Sequence, residues 1–141
     1  MEPIKPVPEN LHTVTPRLVV RRASDAIAFY IAAFEAEEIG ERVTGPHGEV
    51  IHAELRIGDA VIMITEDVGD ADAPAKSPQS LGGFVSAIMV TYWENVDHVW
   101  EQAVAAGAEI VNPLADQFYG ERGGRLRDPF GQQWMVSQRI A

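Results

Sequence analysis

The first part of the chain alternates between apolar and polar residues and then changes to a helical period. Residues 12–20, HTVTPRLVV, are β-branched and alternating, which predicts a strand, and Pro16 favours an edge position or a bulge. Ser24 stands where an N-cap is expected, before an amphipathic helix that Gly40 can end. The apolar positions of this helix recur at helical spacing, at Ile27, Tyr30, Ile31 and Phe34.

Three strand-like segments follow the predicted helix. GERVT (40–44) precedes a GPHG turn, and EVIHAELRI (49–57) comes after it. Gly58 and Asp59 then separate this strand from AVIMITE (60–66), an arrangement typical of a hairpin. The first half is therefore predicted to be a βαβββ unit.

The second half repeats this order after a segment that lacks an apolar period. Residues 68–84 are rich in Ala, Asp, Gly, Pro and Ser, which indicates a mobile linker. Beyond it we expect a strand in 85–93, a helix in 95–107 and three further strands, in 108–114, 123–128 and 132–140. In the turn DPFG, Pro129 presets the backbone and Gly131 permits a left-handed exit.

The two halves superpose as an internal repeat. A shift of 70 sets residues 18–20 on 88–90, and a shift of 73 sets Gly58 on Gly131. The predicted fold is α+β, with two tandem βαβββ units whose curled sheets enclose a cleft. We expect an N-terminal arm at 1–11, a first unit at 12–67, the linker at 68–84 and a second unit at 85–141.

Composition limits the classes of function. The chain has 141 residues and a formal net charge of −10, so clustered cations for nucleic acid are lacking and no nucleic-acid partner is expected. It has no cysteine, which excludes disulfides, thiolate metal sites and cysteine nucleophiles. The opening MEPIKPVPEN lacks the pattern of a signal peptide, and no apolar run is long enough for a membrane helix. We therefore expect a cytoplasmic protein without a membrane partner.

The repeat, together with VVRRASDAIAFY, IHAELRIGDAVIMI and FYGERGGRLRDPFGQQW, resembles the glyoxalase, bleomycin-resistance and extradiol-dioxygenase superfamily over about residues 12–140. In metal-dependent members of that family, the first and last strands of each unit supply His, Gln or Glu ligands to a divalent ion. At the matching positions this chain has Thr15, Met63, Ile88 or Ala87, and Val136. None is a credible ligand for a hard metal. The resemblance therefore implies a branch without the family metal, and we predict neither a metal nor a cofactor.

His52 and Glu54 are the remaining candidates for chemistry. Their spacing of two puts both side chains on one face of a strand. They are candidate catalytic residues, although a polar strand face explains them equally well. Two groups from one strand are also an incomplete metal site.

The resemblance implies a small-molecule ligand in the cleft and a homodimer, with the units paired within one chain or by exchange between chains. The primary hypothesis is metal-free binding of a small organic molecule, and the alternative is a metal-dependent lyase, isomerase or dioxygenase. A third option is metal-free acid-base catalysis by His52 or Glu54. Arg122 could pair with an anion, and aromatic and methionine side chains could hold a flat ligand. The expected cleft walls are Thr15, Arg17, His52, Glu54, Met63, Ile88, Phe118, Tyr119, Arg122 and Trp134.

Overall fold

The computed structural model describes residues 2–141, which form two consecutive βαβββ units. The first unit contains β1 (Arg17–Val20), α1 (Ala23–Phe34), β2 (Glu37–Thr44), β3 (Val50–Ile57) and β4 (Ala60–Glu66). The second contains β5 (Met89–Tyr92), α2 (Val96–Ala106), β6 (Glu109–Asp116), β7 (Glu121–Arg127) and β8 (Gln133–Arg139). The predicted α+β class and repeat are confirmed.

Each unit forms its own four-stranded sheet. Sheet A has the order β1-β4-β3-β2 and sheet B the order β5-β8-β7-β6. The first strand of each unit pairs in parallel with the last, and the other pairs are antiparallel. The two sheets are separate and are not closed into a barrel.

The two helices pack against each other and join the units in one core. Phe34 of α1 lies 4.7 Å from the ring of Trp134 in β8, and Gln102 of α2 donates a hydrogen bond to the carbonyl of Ala33 at 3.0 Å. One face of each sheet is thus covered by helix. We call the opposite face the helix-free face. None of the helices within residues 2–141 is long and apolar enough to cross a membrane.

The start of α1 differs from the prediction. The helix begins at Ala23, so Ser24 lies inside the first turn and is not the N-cap. The cap position is Arg22, in the left-handed region at φ 53° and without a side-chain cap. Instead, Glu66 of β4 accepts a hydrogen bond from the Ala23 amide at 3.1 Å, which satisfies a free N–H of the first turn.

The end of α1 also comes earlier than predicted. Glu35 adopts φ 55° and its amide bonds back to Tyr30, which terminates the helix after Phe34. β2 then starts at Glu37, so Gly40 lies within a strand and is not the helix end. Glu35, in the left-handed conformation, ends the helix, whereas the sequence predicted that Gly40 would end it.

The first strands are shorter than predicted, and the repeat has a different register. β1 and β5 have four residues each, starting at Arg17 and Met89. The buried helix positions Ala23, Ala26 and Ile27 correspond to Val96, Val99 and Trp100, a shift of 73, where the sequence comparison used 70. The turn between β7 and β8 spans five residues and that between β3 and β4 spans two, so one constant shift cannot fit every element.

The linker contains structure that its composition did not predict. A 3-10 helix runs from Pro78 to Leu81, and Ser77 before it is fully buried. The Asp67 carboxylate accepts hydrogen bonds from the Ser77 amide at 2.9 Å, the Ser77 hydroxyl at 2.6 Å and the Ser80 hydroxyl at 2.7 Å. The hydroxyls of Ser77 and Ser80 lower the pKa of Asp67 well below its usual range.

Candidate functional site

The helix-free face of sheet A brings together four of the predicted wall residues. In the strand register Met63 of β4 lies between Arg17 of β1 and Glu54 of β3. His52 lies one step along the same face, with Nε2 3.9 Å from Glu54 Oε1. The side chains of His52 and Glu54 therefore lie on one face of β3, as their spacing of two predicts.

Arg17 is fixed across this face by hydrogen bonding. Its Nη2 donates to the carbonyl of Ile51 at 3.0 Å, and the Thr65 hydroxyl donates to the same oxygen at 2.9 Å. Thr15 is half-buried, two residues before β1 begins. Sheet A thus offers a polar surface around the thioether of Met63.

The two faces of sheet B are distinguished by Gly124 in β7. A Cβ at Gly124 would lie 2.6 Å from the ring of Trp100 in α2, so this side of the strand faces the helix. Val136 of β8 pairs with Gly124 and is fully buried. The sequence interpretation that placed Val136 at a metal-ligand position of the cleft is wrong, because Val136 fills the core under α2.

Met135 is the residue of β8 that reaches the helix-free face, next to Arg125 of β7 and Val90 of β5. The Arg125 Nη2 atom lies 4.0 Å from the Met135 sulfur. The Arg125 Nε atom is buried and is the one buried side-chain nitrogen or oxygen within residues 2–141 that has no hydrogen-bond partner. A methionine therefore occupies the last strand of each unit on this face, at Met63 and at Met135.

Two cavities meet at Arg125. The larger, about 790 Å³, lies between the arginine and the segment 82–88, and Arg127 and Gln133 also line it. The smaller, about 220 Å³, is lined by Tyr119, Met135 and neighbouring polar groups of β6 and β7. Tyr119 therefore lies beside the helix-free face.

Ile88 and Trp134 lie in different surroundings from each other. Ile88 lines the 790 Å³ cavity and also a separate cavity of about 580 Å³ between β5 and the β3–β4 turn. Trp134 lines only the latter of these two, because its ring lies in the core at 2% exposure and its Nε1 donates to Asp128 at 2.9 Å. Trp134 is a core residue and not a wall of the helix-free face.

Phe118 and Arg122 do not join the other candidates. Phe118 is completely exposed at the turn between β6 and β7. The Arg122 guanidinium is paired with Asp97 at 2.8 Å and with Asp116 at 3.2 Å, at the start of α2. Its hydrogen bond to Asp97 raises its pKa. Because both carboxylates already neutralise Arg122, the structure gives no support to its predicted role as the anion partner.

The sequence interpretation missed Arg125 and Met135. In ERGGRLR, Leu126 and Gly124 face the helix, and Arg125 and Arg127 alternate with them. This alternation was available in the sequence. The sequence alone does not show which of the two alternating sets faces α2; the contact of Gly124 with Trp100 does.

The residues of these faces do not fit the metal that the family resemblance implies. Within residues 2–141 no group of three or more His, Asp or Glu side chains is arranged to hold a metal ion. The last strands contribute thioethers, which favour soft ions over the oxygen- and imidazole-bound divalent metals. His52 and Glu54 supply two donors from one strand.

The class of protein follows from this fold and from direct comparison. The model of the glyoxalase/bleomycin resistance protein/dioxygenase superfamily matches residues 10–136, and the chain belongs to that superfamily.

Relatives by sequence include uncharacterized proteins of mycobacteria. One from Mycobacterium bovis is 42% identical over 128 residues, covering 90% of this chain and 83% of the relative. One from Mycobacterium tuberculosis is also 42% identical, over 90% of this chain and 74% of its own length.

Solved structures share the fold at low identity. TioX from Micromonospora sp. ML1 has a TM-score of 0.70 at 23% identity, covering 92% of this chain and 99% of TioX. The fosfomycin resistance protein FosX from Listeria monocytogenes has a TM-score of 0.64 at 19% identity, covering 91% and 93% of the two chains. At these identities the likeness concerns the fold alone.

Proposed function

We propose that this protein binds a small organic molecule on its helix-free sheet faces without a family-type metal. The observation that carries the proposal is the pair Met63 and Met135, which places a thioether on the last strand of each unit. A metal-dependent relative is expected to use that strand for a ligand. Thioether surface packs well against flat or apolar groups.

The walls around the methionines support binding of an organic ligand. Arg17 lies beside Met63, and Arg125 lies beside Met135, so each face combines a soft apolar surface with a cation. The cavity of about 790 Å³ at Arg125 is in the size range of small-molecule sites. Such walls orient a ligand through a few polar contacts and gain affinity from burial.

The proposal includes a cytoplasmic homodimer. Within one chain the sheets are not closed into a barrel, and the hydrophobic side chains of Val90 and Tyr92 on sheet B remain exposed. A second copy could cover such a surface. Sedimentation at several protein concentrations tests this part of the proposal, and a monomer at all of them contradicts it.

A thermal-shift screen over metabolites and aromatic antibiotics, with and without a chelator, tests the proposed function. Binding to the folded state raises the unfolding temperature, and we expect the shift to be unchanged by the chelator. A ligand whose shift disappears with chelator and returns with added metal would contradict metal-free binding. The variant Met135→Ala removes thioether surface from the helix-free face and is expected to weaken binding, whereas Met89→Ala truncates a methionine on the helix-facing side and is the matched control.

A metal-dependent lyase, isomerase or dioxygenase of the same superfamily is the alternative function. One observation favours it: the 3.9 Å approach of His52 Nε2 to Glu54 Oε1 on a helix-free face. These groups could also act as an acid-base pair without a metal. If turnover of an identified substrate survives replacement of both residues by Ala, neither role is tenable.

A further inference from the structure

We infer that Arg125 is the anchor of an oxyanion subsite, which binds the carboxylate, phosphate or phosphonate group of the ligand. This inference rests on the proposed function and specifies the chemical class of the ligand. It places the anionic group in the 790 Å³ cavity between Arg125 and the segment 82–88. The rest of the molecule extends along Met135 toward Tyr119, where the second cavity lies.

The inference rests first on the positive charge of Arg125, which has no carboxylate partner. The chain has 21 acidic and 11 basic residues, yet no carboxylate among residues 2–141 lies within 4.0 Å of Arg125. Arg122 and Arg127 belong to the same strand and both have partners, Arg127 pairing with Glu109 at 3.2 Å. An arginine without a counter-charge in so acidic a protein is a site that an external anion can neutralise.

The hydrogen bonding of Arg125 is equally incomplete. Its Nε–H is buried without an acceptor, and its Nη2 has only the weak sulfur acceptor of Met135, at 4.0 Å. A buried donor without an acceptor is destabilising, and turning the guanidinium toward a bound oxygen atom would remove that cost. The guanidinium fork presents Nε–H and Nη–H side by side, which matches two oxygens of one carboxylate or phosphonate.

The walls of the cavity contain further donors suited to an anion. The segment 82–88 supplies main-chain amides and the Ser86 hydroxyl, and Gln133 supplies a side-chain amide. Arg127 lines the same cavity, but Glu109 already pairs with it, so the free positive charge of this cavity comes from Arg125. No Asp or Glu lines this cavity. A neutral ligand would leave the Arg125 charge without a counter-charge, so the arrangement favours an anion.

The test uses three aromatic probes that differ in charge: benzoate, phenylphosphonate and the neutral isostere benzamide. In NMR titrations of the full chain, benzoate and phenylphosphonate are expected to shift the Arg125 Nε–Hε resonance, which Arg125→Lys assigns by its loss. Benzamide should leave it unmoved. Arg125→Gln is expected to weaken binding of both anions roughly 10- to 100-fold, the range for charge-assisted hydrogen bonds.

Arg122→Gln is the matched control, because it removes a cation from the same strand that already has two carboxylate partners. We expect it to leave anion binding unchanged. If Arg125→Gln does not fold, the Nε–Hε titration of the unmodified protein and the Arg125→Lys variant decide. Lysine keeps the charge but not the fork, so the two anions should bind with intermediate affinity.

The outcomes separate this inference from the proposed function. Equal binding of benzoate and benzamide, or anion binding that survives Arg125→Gln, overturns the oxyanion subsite. If the thermal-shift screen finds a neutral ligand whose binding is unchanged in Arg125→Gln, the oxyanion subsite is overturned. The proposed function stands in that case. Loss of dimerisation in Arg125→Gln without loss of anion binding would show that Arg125 pairs with a second copy of the chain, which also overturns the inference.

Discussion

The Tyr30 hydroxyl donates a hydrogen bond to Asp128 Oδ2 at 2.5 Å, across 98 positions of sequence. Tyr30 belongs to the helix of the first unit and Asp128 to the last turn of the second. The Trp134 ring nitrogen and the amides of Phe130 and Gln132 donate to the same carboxylate. This buried carboxylate therefore fixes the shape of the turn and ties the two units together. Burial raises the pKa of Asp128, and burial also raises the pKa of Tyr30.

Removing the Tyr30 hydroxyl is expected to destabilise the protein. Tyr30→Phe keeps the ring in the core but leaves Asp128 with one donor fewer in a buried position, at a cost of about 1–3 kcal/mol. Urea unfolding followed by tryptophan fluorescence measures the change. Tyr119→Phe is the matched control, because Tyr119 is about half exposed (51%), and its effect should be close to zero. Equal stability of the two variants would show that the buried hydrogen bond contributes nothing.

The Asp67 cluster is expected to make stability fall in acid. Because the pKa of folded Asp67 is depressed, its contribution is present above the unfolded pKa of about 4 and is lost as the pH falls below it. Asp67→Asn should therefore be less stable than the parent at pH 7, by roughly 1 kcal/mol, with the difference shrinking toward pH 2.

Urea unfolding at a series of pH values checks this dependence. Asp72→Asn changes an exposed carboxylate of the same linker and should leave the loss of stability at low pH unaltered. A constant difference between Asp67→Asn and the parent at all pH values would contradict the assignment to Asp67.

Gly124 should not tolerate a side chain. A Cβ there would lie 2.6 Å from the Trp100 ring and 2.8 Å from the Asn112 carbonyl oxygen, so α2 or β6 must move. We expect Gly124→Ala to cost about 1–3 kcal/mol, the usual range for overpacking a core. Gly45→Ala is the control, because its Cβ would meet only the flexible side chain of Glu49. A cost for Gly45→Ala as large as that for Gly124→Ala would remove the packing explanation.

Much of the fold could be predicted because local pattern and tertiary structure agree. The periodicity around Tyr30, the Gly58–Asp59 hairpin and the DPFG turn each specify their element without reference to the rest of the chain. The start of α1 could not be found this way, because the acceptor for its first amide is Glu66, which is distant in sequence.

The candidate site could be predicted only in part. Which of its residues reach the helix-free face depends on which side of each strand faces the helices. The side of β4 on which Met63 lies follows from the pattern, since Ile62 and Ile64 on either side are both apolar and buried. In β8 the run Trp134–Ser137 has buried residues on both faces, so the sequence does not show that Val136, at the matching ligand position, faces the core. Only the position of α2 above Gly124 shows that Met135 and Arg125 point the other way.

Metal content is the most direct test of the central claim, that this member of the superfamily works without the family metal. The purified protein is incubated with Fe, Mn, Ni or Zn, passed over a desalting column with and without chelator, and measured by elemental analysis. We predict far less than one ion per chain in every case. Near-stoichiometric metal that the chelator removes, and that His52→Ala or Glu54→Ala abolishes, would contradict the account.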